Sequence, residues 1–76
     1  MSRERLIKEI GRLGYSFSYD SKTGQIWVFK KNEDMPNKPI AKVSTKLACR
    51  VNMMFNGVGR KQIELMELLT DYSTNL

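Results

Sequence analysis

The fold of this chain is decided by residues 15–31, which read YSFSYDSKTGQIWVFKK. In residues 15–19 aromatic side chains alternate with serines, and this period of two is typical of a strand with one buried face. Asp20 opens a short turn, Gly24 closes it at a position that favours positive φ, and residues 25–31 follow as a second apolar segment. This pattern predicts a β-hairpin.

Segments with helical spacing lie on either side of this hairpin. Ser2 is a suitable N-cap for the first helix, and Gly14 supplies a left-handed C-terminal stop. The second helix is predicted over residues 60–73, with a wide apolar face. The residues expected to face the core are Leu6, Ile7, Ile10 and Leu13 in the first helix, and Ile63, Leu65, Met66, Leu68, Leu69 and Tyr72 in the second.

Two further segments complete the predicted sheet. Prolines and polar residues in 32–39 indicate a loop, and residues 40–45 form a third strand. Residues 46–55 alternate as in a fourth strand, yet their Leu, Ala and Met residues also favour helix, so both forms stay open. The chain is thus predicted to be a single α+β domain, residues 1–76, with the order α-β-β-β-(β)-α. Its antiparallel sheet is covered on one face by the N- and C-terminal helices.

The composition limits the classes of function. With 76 residues, of which 41% are apolar, the chain forms one small core without room for a deep active-site cavity. It contains no histidine and a single cysteine, Cys49, so no internal disulfide is expected. No nucleophile has a recognisable base beside it, and the spacing of Glu64 and Glu67 is that of a solvated helix face. We therefore expect a protein that is not an enzyme and that needs no metal or cofactor.

The charge of the chain is positive. Thirteen lysines and arginines against eight acidic residues give a net charge of +5, which favours polyanionic partners and also keeps a small protein soluble. The longest apolar run, residues 26–29, is too short to span a bilayer, and the N-terminal residues lack the apolar stretch of a signal peptide. We expect a cytoplasmic protein without membrane contact.

The predicted second strand is apolar on both sides. If Ile26 and Val28 face the helices, Trp27 and Phe29 lie on the opposite, open face of the sheet. Aromatic rings beside basic side chains can stack on bases or insert into a pocket of a partner protein. The residues predicted to bind a partner are Trp27, Phe29, Lys31, Lys42 and Arg50. The alternative places Trp27 in the core, between the sheet and a long loop.

A second candidate site lies at the start of the last helix, where residues 57–61 read GVGRK. Glycines before a helix expose backbone N–H groups, and the helix dipole favours an anion there. The residues predicted to bind phosphate are Gly57, Gly59, Arg60 and Lys61. The alternative is an ordinary turn, because the motif is shorter than nucleotide-binding fingerprints.

Three segments carry a resemblance to small prophage-encoded proteins of Gram-positive bacteria: LIKEI at 6–10, IAKVS at 40–44 and IELMELLTDYST at 63–74. The resemblance covers most of the chain and implies a phage or mobile-element setting. The architecture is also similar to that of some small phage anti-CRISPR proteins, which block a host nuclease by occupying its nucleic-acid site. Those proteins are typically acidic, so an inhibitor with a charge of +5 would bind an acidic surface or an enzyme–RNA complex.

The order of elements, with residues 57–61 entering the last helix, also resembles a double-stranded RNA-binding domain. In that family the start of a helix grips phosphates across a groove, and here Arg60 and Lys61 supply the positive charge. We therefore predict a phage-type interaction protein that binds and inhibits a host macromolecule, such as a defence nuclease or a ribonucleoprotein. A small basic nucleic-acid-binding domain is the alternative.

Overall fold

The computed structural model describes residues 1–30, 38–54 and 59–76. Within these ranges two helices flank four strands, which confirms the predicted α+β class. The elements are α1 (Arg3–Arg12), β1 (Tyr15–Asp20), β2 (Gln25–Lys30), β3 (Ala41–Ser44), β4 (Val51–Met53) and α2 (Arg60–Thr74). No helix in the described ranges combines the length and the apolar character needed to cross a membrane.

The sheet is an antiparallel meander in which neighbours in sequence are also neighbours in space. The strand order is β1-β2-β3-β4. Both helices pack on the same face of this sheet, and one core lies between the two layers. Its buried apolar residues are Leu6, Ile10, Tyr15, Ile26, Val28, Ile40, Ala41, Val43, Leu65, Leu69 and Tyr72.

Helix α1 begins and ends where the sequence predicts. The Ser2 hydroxyl oxygen accepts a hydrogen bond from the Arg5 N–H at 3.2 Å, and Gly14 has a φ of +91° just after the helix. Leu6 and Ile10 are fully buried one turn apart, as expected for the apolar stripe of an amphipathic helix. The helix therefore covers β1, and the chain turns at Gly14 to enter that strand.

The β1–β2 hairpin also follows the prediction. The Asp20 carboxylate accepts a hydrogen bond from the Lys22 N–H at 3.0 Å, and Gly24 has a φ of +73°. The Gly24 carbonyl oxygen accepts a further bond from the Thr45 N–H at 2.8 Å. The hairpin turn is thus hydrogen-bonded to the residue that follows β3.

The fourth strand exists but is shorter than the predicted segment, 46–55. Only Val51–Met53 are in a strand, while Leu47 is 59% exposed and Cys49 has a φ of +62°, far from the strand region. The Cys49 N–H donates to the carbonyl oxygen of Ser73 in α2 at 3.2 Å. The prediction of strand before Val51 is wrong because this contact turns the chain. Phe55, the last residue of the predicted strand, lies outside the described residues.

Helix α2 buries a narrower face than its sequence predicts. Leu65, Leu69 and Tyr72 are buried, whereas Ile63 is 39% and Met66 is 41% exposed. The helix contacts α1 and the sheet on one side only, and Ile63 and Met66 point away from that side. The prediction that these two residues face the core is wrong.

Candidate binding site on the open sheet face

The face of the sheet opposite the helices carries every second residue of the strands. Trp27 lies opposite Ser18 of β1 and opposite Lys42 of β3. Lys42 in turn pairs with Asn52 of β4. Because directly paired residues of an antiparallel sheet point to the same side, these four side chains form a row across the open face.

The aromatic residues of β2 lie on this open face. Ile26 and Val28, which alternate with them, are fully buried on the helix side. Trp27 and Phe29 are half-buried and do not belong to the core cluster. The Lys42 ammonium nitrogen lies 5.1 Å from the centroid of the Trp27 ring, which is a cation–π distance. Trp27 is therefore a half-buried aromatic residue on the face opposite the helices, with a lysine packed over its ring.

Arg50 joins the open face just before β4. It lies on the same side of the sheet as Lys42 and Asn52, and the three residues line a shallow depression of approximately 370 Å³. The backbone N–H of Arg50 donates to the Ser73 hydroxyl oxygen at 3.0 Å, so α2 anchors the loop that carries this arginine. Lys42 thus links Arg50 to Trp27 within one surface. Lys31, the remaining residue of the predicted partner site, lies outside the described residues.

The same depression includes polar residues that sequence patterns alone do not single out, namely Gln25, Ser44 and Asn52. Ser44 is buried, and its hydroxyl oxygen accepts hydrogen bonds from the N–H groups of Lys46 at 3.1 Å and Leu47 at 2.9 Å. This serine therefore builds the β3–β4 loop. Asn52 becomes recognisable only from the cross-strand register that places it beside a lysine.

The acidic residues are unevenly distributed over the molecule. Among the described residues, all acidic side chains except Asp20 lie on the two helices. Most of these acidic residues line a groove between α1 and α2, on the side away from the open face, and Arg12 lines it as well. Its acidic residues are Glu9, Glu64, Glu67 and Asp71. Of the described acidic residues, only Asp20 shares the open face with Lys42 and Arg50, at the end of β1 where it pairs with Gln25.

Arg12 and Tyr15, both on the helix side of the sheet, have raised pKa values. The Glu9 carboxylate accepts a hydrogen bond from the Arg12 guanidinium at 2.8 Å, and this bond raises the pKa of Arg12 above its ordinary value. Burial, and to a lesser extent the negative charge of Glu64, raises the pKa of Tyr15. Within the described ranges no group of three or more His, Cys, Asp or Glu side chains is arranged to hold a metal ion.

The predicted phosphate site lies at the start of α2, on the helix side of the sheet. The Gly59 N–H donates to the Gln62 side-chain oxygen at 2.6 Å, so this backbone donor already has an acceptor. The Lys61 ammonium nitrogen lies 3.7 Å from the position that a Cβ atom on Gly14 would occupy, and it therefore reaches toward the α1–β1 turn. Arg60 is exposed, and Gly57 lies outside the described residues. The two predicted sites are thus on opposite faces of the sheet.

Comparison of the chain with protein-family models, with curated proteins and with solved structures found no match.

Proposed function

We propose that this protein is a non-enzymatic binding module that docks the open face of its sheet on an acidic surface of a host macromolecule. The observation that carries the proposal is the contact of the Lys42 ammonium with the Trp27 ring, with Arg50 in the adjoining depression. Trp and Arg are the residues on which the binding energy of protein interfaces concentrates. A basic face around a tryptophan fits a partner with a negative surface potential.

A protein surface fits this face better than a stacked base. The Lys42 ammonium occupies one face of the indole, so a base could stack there only after displacing it. A carboxylate of a partner protein can instead approach Lys42 and Arg50 while the indole edge fills a pocket. The contact of Lys42 with Trp27 therefore supports a protein, or the protein surface of a ribonucleoprotein, as the partner.

The resemblance to prophage-encoded proteins extends this proposal to a biological setting. In that setting the protein acts in the cytoplasm of a bacterial host cell, and the partner is a host defence nuclease that it inhibits. A positively charged inhibitor would cover an acidic region of the nuclease or its RNA-bound form, because a net charge of +5 does not imitate a phosphate backbone.

The proposal is tested by two double variants, each of which reverses two positive charges, on opposite sides of the molecule. Lys42→Glu with Arg50→Glu alters the open face, and Arg5→Glu with Lys8→Glu alters exposed positions of α1. Each tagged variant is used to capture host proteins from a nuclease-treated bacterial lysate. The wild type and the α1 variant should retain the same host protein, and the open-face variant should lose it. Equal retention by both variants would place the interface elsewhere.

A nucleic-acid-binding domain is the second candidate function, and one observation favours it. Lys42 and Arg50 line the depression together with Gln25 and Asn52, and such cations and amides are common donors to phosphates and bases. If RNA is the partner, affinity should fall by roughly one log unit per log unit of salt for each phosphate neutralised. Capture that disappears after nuclease treatment of the lysate would also select this candidate.

The two predicted sites can be separated in the same RNA-binding measurement. Arg60→Glu with Lys61→Glu changes the start of α2, and Lys42→Glu with Arg50→Glu changes the open face. Arg50, Arg60 and Lys61 are exposed, and Lys42 is half-buried but outside the core. Both double variants should therefore keep the circular dichroism spectrum of the wild type. Loss of RNA binding in the first variant alone would assign it to the start of α2. Loss in the second alone would assign it to the open face.

A further inference from the structure

Strand β1 forms an outer edge of the sheet, and its residues 15–19 read YSFSY, a sequence that is the same in both directions. No strand among the described residues pairs with this edge. Edge strands of soluble proteins commonly carry a lysine, a proline or a bulge that prevents pairing with another chain. Residues 15–19 contain no charged residue and no proline. Residues 15–19 themselves therefore lack these protections, and the charges nearest to them are Asp20 at the end of β1 and Arg3, whose guanidinium lies 4.7 Å from the centroid of the Tyr19 ring.

The hydrogen-bond pattern shows which backbone groups of β1 bond to β2. The Ile40 N–H donates to the Val28 carbonyl oxygen at 2.7 Å, so the backbone of Val28 in β2 faces β3. Backbone groups of successive residues in a strand point to alternate sides, and Trp27, the preceding residue, therefore faces β1. Its partner there is Ser18. The pair Ser18–Trp27 is thus a hydrogen-bonded pair of the hairpin.

The neighbours of Ser18 consequently direct their backbone groups away from β2. The N–H and C=O groups of Phe17 and Tyr19 point to the outer edge, and those of Tyr15 do the same. The side chains of Phe17 and Tyr19 are 43% and 36% exposed at this edge. Unpaired donors and acceptors thus lie beside exposed aromatic surface, which is the chemistry that recognises an extended strand.

We infer that two copies of the chain pair through β1, antiparallel about a twofold axis at Phe17. In this register Phe17 lies opposite the partner subunit's Phe17, and Tyr15 lies opposite the partner subunit's Tyr19. These are hydrogen-bonded pairs, each exchanging two backbone bonds, and they use the groups that point outward from β1. The two four-stranded sheets then form one continuous antiparallel sheet.

The symmetry of the sequence is the reason to choose a second copy as the partner. A twofold interface requires a surface that is complementary to itself, and residues 15–19 meet this requirement position by position. The pairing places aromatic residues opposite aromatic residues and serines opposite serines, and aromatic cross-strand pairs stabilise sheets. A twofold axis perpendicular to the sheet also puts both Trp27 sites on the same side. The dimer would therefore offer two binding sites to one partner, beyond the single site of the proposed function.

The first test is the mass of the native protein by sedimentation equilibrium from micromolar to millimolar concentration. The wild type should form a dimer, and Phe17→Lys, which places two ammonium groups at the twofold axis, should weaken it by about tenfold or more. Asn52→Lys makes the same charge change at the opposite edge strand and should leave dimerisation unchanged. A wild type that is monomeric throughout, or a dimer that Phe17→Lys leaves intact, overturns the inference.

Salt distinguishes this dimer from binding at the open face. Each copy carries a charge of +5, so added salt screens the repulsion between copies and should strengthen the dimer. Added salt should weaken binding of the open face to an acidic partner. Loss of dimerisation and loss of partner binding are thus separate results, and a dimer that weakens with salt would contradict the β1 pairing.

The second test determines how the two β1 strands are aligned, and it does not require Phe17→Lys to fold. In a Cys49→Ser background, Phe17→Cys places the two thiols at a hydrogen-bonded pair with a Cα separation of about 5.5 Å, within the range of a disulfide. In the same register Ser16 lies opposite Ser18 of the partner subunit, so in Ser16→Cys the two thiols are offset by two residues. Mild oxidation should link Phe17→Cys into a covalent dimer and leave Ser16→Cys mostly monomeric. Equal cross-linking of the two variants would overturn the proposed register.

Discussion

The Ser73 hydroxyl oxygen accepts a hydrogen bond from the backbone N–H of Arg50 at 3.0 Å, and the Ser73 carbonyl oxygen accepts one from the Cys49 N–H at 3.2 Å. Ser73 is fully buried near the end of α2. A single residue of the helix layer thus holds the loop that presents Arg50 on the other side of the sheet. The position of Arg50 at the candidate site therefore depends on how α2 packs.

Replacement of Ser73 by alanine should destabilise the protein and loosen this loop. The variant leaves the Arg50 N–H without its acceptor, and because this bond is only part-buried we expect a cost near the lower end of the roughly 1–3 kcal/mol typical of a buried group. The free energy of unfolding from urea titration should fall accordingly, and the Arg50 amide should exchange faster with deuterium. Thr70→Ala, at an exposed position of the same helix, is the control and should not reduce stability. Equal effects of the two substitutions would disprove the anchoring role of Ser73.

The hairpin is predictable from sequence because its determinants are local. Asp20 and Gly24 shape the turn through bonds within a few residues, and alternation places Ile26 and Val28 on the face opposite Trp27. Alternation does not show which of these faces is buried, because both sides of the strand are apolar. The burial of Ile26 and Val28 against the helices decides it, so the outward position of Trp27 depends on residues that are distant in sequence.

The loop before β4 is not predictable in this way. Its direction is set by the Arg50–Ser73 bond, which joins residues 23 apart in sequence. The alternation of apolar residues in 46–55 is equally compatible with a strand, and only the tertiary contact decides between the two. The exposure of Ile63 and Met66 has a similar origin, because helical spacing does not show how much of a helix its neighbours cover.

Two glycines with positive φ should differ in their tolerance of alanine. Gly14→Ala meets only the Lys61 ammonium, at 3.7 Å, so its cost should be the backbone strain of roughly 1–2 kcal/mol. Gly24→Ala adds a contact of 2.8 Å with the stem of Lys46 and should cost more. In a Lys46→Ala background the two substitutions should become nearly equal in urea titrations. A persistent difference would show that Lys46 is not the source of the extra cost.

Stability should fall at alkaline pH through buried tyrosines. Burial raises the pKa of Tyr72 above its ordinary value of 10.0, and burial likewise raises the pKa of Tyr15. The folded state therefore keeps these phenols protonated where the unfolded chain already releases the proton. The contribution of these two tyrosines to the free energy of unfolding is fully present below a pH of about 10, and it is lost as the pH rises through the higher folded-state pKa. The free energy of unfolding then falls by at most about 1.4 kcal/mol per pH unit for each tyrosine. Tyr72→Phe should flatten this decline in urea titrations, and Tyr15→Phe should flatten it further. An unchanged decline in the double variant would contradict the assignment.

Because of its position, truncation of Trp27 to alanine should lower the free energy of unfolding less than the same truncation of Ile26. Trp27 is half-buried on the open face, whereas Ile26 is fully buried in the core. Truncation of a buried isoleucine to alanine costs about 2–5 kcal/mol. We expect Trp27→Ala to cost only about 1–2 kcal/mol, from the lost cation–π contact and partial burial, although it removes more atoms. Urea titrations followed by circular dichroism compare the two variants, and a larger loss for Trp27→Ala than for Ile26→Ala would place the indole in the core.

The charge beside Trp27 can be read from the fluorescence of this single tryptophan. Because the Lys42 ammonium nitrogen lies 5.1 Å from the ring centroid, anions should concentrate at the indole and cations should be repelled. Iodide should therefore quench the emission more strongly than caesium does at the same ionic strength. Lys42→Met keeps most of the side-chain volume and removes the charge, so it should bring the two quenching constants together. Arg5→Met, on the helix side, is the matched control and should leave the preference for iodide intact. If Lys42→Met also leaves it intact, the ammonium does not cover the ring in solution, and the contact on which the proposed interface depends is absent.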